Sequence, residues 1–116
     1  MAYTMSETVL VVSNEGLGQG EPELCRKVLA TYFQTMLELG QLPRAVLFYT
    51  AGVKMVADDS PAVSALSALA SAGVLLVSCR TCLEYYGLMD KVAVGRIGNM
   101  MQIIEVQSAA PKVITL

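Results

Sequence analysis

The chain has 116 residues, 54% of them hydrophobic and only 16% charged, with a formal net charge of −2. That size is one domain over 1–116, able to bury a core without disulfide staples, and its charge leaves no basic footprint for nucleic acid or a membrane surface. There is no histidine, which excludes imidazole triads, Cys–His pairs and His-ligated metal or haem sites within the chain.

In chain order, Thr8–Ser13 is a short β-branched run that predicts a buried strand, and a glycine-rich turn follows over 14–20. Pro22 suits a first helical position. Leu24, Val28, Leu29, Tyr32, Phe33, Met36 and Leu37 then recur at three- and four-residue steps and predict one core-facing stripe on a helix stopped by Gly40. Ala45–Thr50 predicts a second strand. Ser60 and Pro61 read as the N-cap and first position of a second helix, with Val63, Leu66, Leu69 and Ala70 buried and Gly73 closing it. Val74–Ser78 predicts a third strand, and Cys79 to Cys82 opens a short helical piece stopped by Gly87. Lys91–Val94 predicts a fourth strand, with 95–98 as the loop beyond it. Asn99 is placed to cap a fourth helix, with Gln102 as its capping-box partner and Met100, Ile103 and Ile104 turned inward. Lys112–Leu116 is the fifth strand.

Short apolar strands alternating with helices predict a five-stranded parallel sheet covered on both faces, an α/β/α sandwich of three layers with right-handed crossovers. No apolar run approaches the roughly 18 to 20 residues of a membrane span. Met1 to Glu7 has neither the basic region nor the apolar stretch of a signal peptide, so a cytoplasmic protein is expected. Ligands in such folds gather at the carboxyl ends of the strands. The glycine-rich loop, Ala51–Lys54, Cys79–Cys82 and 95–99 all follow predicted strands and are therefore expected along one edge.

Cys79-x-x-Cys82 is the sharpest motif. Amides at a helix start and the positive charge of Arg80 favour a thiolate, which is a nucleophile without imidazole. Two cysteines at this spacing also let one attack and the other resolve. The competing readings are two small packed residues and half of a four-thiolate metal site shared between subunits. The odd total of three cysteines argues against a secreted disulfide framework, and Cys25 reads as a packed thiol. Gly16-x-Gly18-x-Gly20 either brings backbone amides to an anion or makes a tight turn with positive φ. Its spacing matches neither the dinucleotide fingerprint nor the P-loop. Lys54 and Arg96 are candidate holders of an anionic sulfur species or a partner carboxylate, or else solvated charges. Tyr85 and Tyr86 are a pocket wall or core. Cys79 and Cys82 are thus the candidate catalytic residues, and Gly16, Gly18, Gly20, Arg80, Lys54, Arg96 and Asn99 the candidate substrate contacts. No metal or cofactor is expected.

Several segments carry a family resemblance: Ser13 to Gly20 with Glu23-Leu24, Phe48-Tyr49-x-x-Gly52-Val53-Lys54, Ser78-Cys-x-Thr-Cys-Leu-x-Tyr-Tyr-Gly87, Gly95-x-x-x-Asn99-Met100 and Val113-Ile-Thr-Leu116. Together they resemble the DsrE/DsrF-like sulfur-relay family, nearest to the C-terminal domain of YedF-type selenium-metabolism proteins. The resemblance implies an α/β/α domain assembled as trimers or hexamers. It also implies sulfane sulfur or selenium passed between proteins as a persulfide, with the carrier cysteine matching Cys79 and Cys82 matching the extra cysteine of the YedF-like group. The TusA-related N-terminal domain of that group is not in this sequence, so the sulfur donor or acceptor is expected to be a separate, TusA-like protein. Arg80 and Cys25 stand where the group usually has glycine.

The leading expectation is therefore a sulfurtransferase-like carrier in which Cys79 accepts sulfur and Cys82 releases or shields it. The alternatives are a dithiol redox module and a non-catalytic binding subunit of a sulfur-relay assembly. The charge deficit also predicts a homo-oligomer, because a sandwich of this size leaves apolar residues near its surface.

Overall fold

The computed structural model describes residues 3–116. Met1 and Ala2, at the head of the segment in which no signal peptide is read, lie outside them. Strands β1 (Thr8–Val12), β2 (Ala45–Phe48), β3 (Leu75–Cys79), β4 (Arg96–Gly98) and β5 (Lys112–Thr115) form one sheet in the order β4-β3-β2-β1-β5. Every neighbouring pair is parallel. All residues of β1 and β2 are buried, as continuous Val/Leu/Phe runs require when both sheet faces are covered. Helices α1 (Pro22–Leu39) and α2 (Val63–Ser71) pack against each other. The chain moves in one direction from β1 to β4 and then doubles back to β5, so right-handed crossovers put α4 (Met100–Ala109) on the opposite face. The short helix α3 (Arg80–Tyr85) follows β3 directly. The α/β sandwich with a five-stranded parallel sheet is the fold of this chain.

Helix α1 begins at Pro22 and ends at Gly40, whose φ of 67° is left-handed. The Gly40 N–H donates to Leu37 O and the Gln41 N–H to Met36 O, closing the helix end. Its buried line is Cys25, Leu29, Phe33 and Met36. Leu24 and Val28 are 56% and 37% exposed rather than core-facing. A seven-residue stripe is wider than the line that sheet and α2 can cover, so its flank stays at the surface. The same correction applies on α4, where Ile103 is buried but Met100 and Ile104 are exposed, and on α2, where Ala70 is exposed. Helix α2 also starts two residues later than Pro61: Ser60 Oγ accepts the Ala62 N–H in a turn that precedes the helix.

The largest correction concerns β4. Lys91–Val94 has strand-like residues but forms no strand of the sheet. Ala93 N–H donates to Val56 O, and Val92 pairs singly with Ala57, so this run is spent fastening the 3₁₀ segment Thr50–Val56. Gly95 then turns at φ 84° against Leu76. The β3 ladder is continued instead by Arg96, Ile97 and Gly98, opposite Val77, Ser78 and Cys79.

Candidate functional site

The carboxyl ends of β1, β2 and β3 meet around the two cysteines. Cys79 is the last residue of β3 and also the residue from which α3 starts, so no loop separates strand from helix. It is buried beside Gly98 of β4. Cys82, nearly one helical turn on, is half-buried. Cys82 Sγ accepts the backbone N–H of Thr50 at 3.0 Å. Burial pushes the Cys82 thiol above its ordinary value, and the neighbouring Cys79 pushes the same way, while the Thr50 N–H opposes them. All three cysteines are free thiols. Cys25 is buried, its thiol directed to Gly18 O at 3.8 Å, as a packed residue.

Thr50 has no sequence signal of its own, yet it ties three strand ends together. Its φ is 49°, the one positive value among described non-glycine residues, and a β-branched residue is a true outlier there. Two neighbours force it. Tyr49 N–H donates to Val12 O at 3.2 Å, and Gly52 packs on the same carbonyl so closely that a Cβ would overlap it. The chain between these fixed points has to invert. Thr50 Oγ1 has one proton to share between Ser13 O at 2.6 Å and its neighbour Tyr49 O at 2.7 Å.

The glycine-rich loop folds back on α1. Gly16, at φ 118°, lies against the Cys25 carbonyl where any Cβ would collide. Gly16 N–H donates to Asn14 O and Leu17 N–H to Cys25 O, so both amides are used inside the loop. Asn14 Nδ2 donates to Gly18 O, and Gly18 takes the second positive φ of the loop, 74°. Gly20 faces the Cys25 sulfur. The loop also presents Glu15, which sequence reasoning passed over. Glu15 pairs with Lys54 at 3.1 Å and with Arg26 at 3.4 Å. Lys54 also sits 4.6 Å above the Tyr86 ring. Lys54 therefore lies on the expected edge but is partnered, in a cavity of about 360 Å³ that Arg26, Asp59 and Leu88 complete.

Asn99 follows β4 on the same edge, where its Oδ1 accepts the Gln102 N–H at 2.9 Å and caps α4. Arg80 is beside the thiols and points to solvent as an exposed residue. Tyr85 is 83% exposed and meets the half-buried Tyr86 edge-on at 5.1 Å. Arg96 is the exception to the single edge. It opens β4 opposite Val77 and borders a cavity with Gly73 and Val74, at the amino end of the strands. The reason is the shift of β4 from 91–94 to 96–98. Among the described residues, no group of three or more His, Cys, Asp or Glu is placed to hold a metal ion, and no helix is long and apolar enough to cross a membrane.

No family model matches this chain. No curated protein matches it either. Among solved structures it is similar to the ychN protein from E. coli, with a TM-score of 0.71 and 16% identity over 97% of this chain and 100% of that one. It is also similar to a protein of unknown function from Methanobacterium thermoautotrophicum, with a TM-score of 0.69 and 18% identity over 94% and 97% of the two chains. A conserved protein of unknown function from Bacteroides thetaiotaomicron gives 0.67 and 16% identity over 95% of each. At these identities what is shared is the fold: the chain has the architecture of ychN over nearly its whole length.

Proposed function

We propose that this protein carries sulfane sulfur, or selenium in the same role, on the Cys79–Cys82 pair. The observation that carries the reading is the pair itself: two free thiols three positions apart where a central strand runs directly into a helix. The resemblance of Ser78–Gly87 to the DsrE/DsrF-like sulfur-relay proteins, and among them to the YedF-type C-terminal domain, supports it, as does the ychN-like fold. In this mechanism the Cys79 thiolate attacks the outer sulfur of a donor persulfide. The donor S–S bond breaks, the donor leaves as a thiolate, and Cys79 becomes a persulfide. An acceptor thiolate takes the outer sulfur and restores Cys79. Alternatively the Cys82 thiolate attacks the inner sulfur, expels hydrosulfide and closes a Cys79–Cys82 disulfide. The donor or acceptor in this reading has TusA-like chemistry.

Incubation with a persulfide donor followed by intact mass measurement tests this. Wild type gains one sulfur mass, and Cys79→Ser gains none. Equal loading of Cys79→Ser removes the assignment to Cys79, and no loading of wild type removes the carrier reading. A second reading, a dithiol redox module without sulfur cargo, is favoured by the Cys79-x-x-Cys82 spacing of two free thiols, and predicts a reversible disulfide with equal need for both thiols. The protein works as a homo-oligomer in this proposal, supported by the exposed Leu24, Val28, Met100, Met101 and Ile104 on a charge-poor surface. Light scattering at micromolar concentration gives a multiple of the chain mass, and a monomer would contradict it.

A further inference from the structure

We propose that Thr50 is a positioning residue for Cys82, its left-handed backbone holding its N–H on the sulfur that the carrier reading uses to release cargo. The inference deepens the carrier reading and rests on it for its biological meaning, although the geometry stands by itself. Three observations converge. First, the Thr50 N–H reaches Cys82 Sγ at 3.0 Å, a separation in the range of ordinary N–H···O bonds although sulfur is the larger atom. Second, that bond favours the charged form of the Cys82 sulfur, against the burial that opposes it.

Third, the conformation that aims the amide is one a β-branched residue avoids. It is held because Tyr49 and Gly52 are both fastened on Val12 O and because Thr50 Oγ1 reaches Ser13 O. Backbone strain retained at a cluster of nucleophiles points to a purpose in that position. With no imidazole in the chain, a backbone amide is the donor that supports negative charge on Cys82. Thr50 touches no transferred sulfur. It acts through Cys82.

Iodoacetamide labelling across pH reads this directly and requires no sulfur donor. Cleavage after Arg80 separates Cys79 from Cys82, so each thiol is followed on its own peptide. Thr50→Gly loses the hydroxyl but adopts a left-handed φ freely, and Thr50→Ser keeps the hydroxyl; both retain the wild-type Cys82 profile. Thr50→Val loses the hydroxyl and is driven to negative φ, which takes the N–H off Cys82. Labelling of Cys82 at neutral pH then falls about two- to tenfold, the equivalent of one hydrogen bond, and its pH profile moves upward. Should Thr50→Val fail to fold, Thr50→Ala is read the same way. Equal profiles for the Gly and Val (or Ala) variants overturn the proposal. A wild type that labels as described but takes up no sulfur from a persulfide donor overturns the carrier reading and leaves the positioning role intact.

Discussion

Gly52→Ala is the most discriminating single change, because one atom tests the turn that builds the site. The added Cβ would overlap the Val12 carbonyl, which is backbone at the end of a central strand and has no rotamer to yield. Overpacking of this kind costs about 1–3 kcal/mol. The shift also loosens the Tyr49 N–H bond to Val12 O at 3.2 Å and the Gly52 N–H bond to Tyr49 O at 3.0 Å, each worth about 0.5–1.5 kcal/mol. The combined effect is about 2–6 kcal/mol against a total stability of about 5–15 kcal/mol. At roughly 4 °C per kcal/mol for a domain of this size, Tm falls by about 8–24 °C. Thr50 lies within the same turn, so its N–H leaves Cys82 and labelling of Cys82 slows with it. Thermal unfolding by circular dichroism and the labelling assay are run on one preparation. A Tm within about 2 °C of wild type would refute the reasoning, since it would mean the turn has room that the geometry denies.

The pH dependence of stability follows from Cys82. Its folded thiol is held protonated chiefly by burial, while the unfolded chain releases that proton at the ordinary thiol value. The contribution is fully present below the unfolded value and is lost as pH rises from there through the folded one, because the unfolded state then binds fewer protons. Cys82→Ser flattens this alkaline loss, seen as a smaller difference between urea midpoints at neutral pH and at about pH 10. Tyr32, also pushed up by burial, leaves a residual slope. At the neighbouring strand end, Asn99→Ala removes the acceptor of the Gln102 N–H. It destabilises by about 1 kcal/mol in chemical denaturation without changing the Thr50–Cys82 contact, so Cys82 labelling stays at the wild-type rate.

The central layer of the fold is legible in the chain. Thr8–Val12, Ala45–Phe48 and Leu75–Ser78 are apolar at every position or nearly so, and only a strand covered on both faces needs that. The placement of Cys79 and Cys82 where a strand runs into a short helix was equally readable, because Gly87 bounds a segment too short to be anything longer. Periodicity did less well at surfaces. It marks which residues share a helix face, but how much of that face a neighbour covers depends on the other layers, so Leu24, Val28, Met100 and Ile104 could not be separated from Leu29 and Ile103.

Propensity alone placed β4 at Lys91–Val94. Pairing is a contest between segments for one open strand edge, and 96–98 won it once Val92 and Ala93 were bonded to the 3₁₀ segment. That displacement carried Arg96 to the far edge of the sheet. The contacts around the thiols were decided at the tertiary level as well. Glu15 meets Lys54 across 39 positions and Thr50 meets Cys82 across 32, separations that no local pattern encodes. By itself the sequence determined the fold class, the absence of histidine and the position of two thiols where the third strand ends. Only the tertiary structure decided that a threonine in an unfavoured conformation, pinned on the end of β1, would point its amide at one of them.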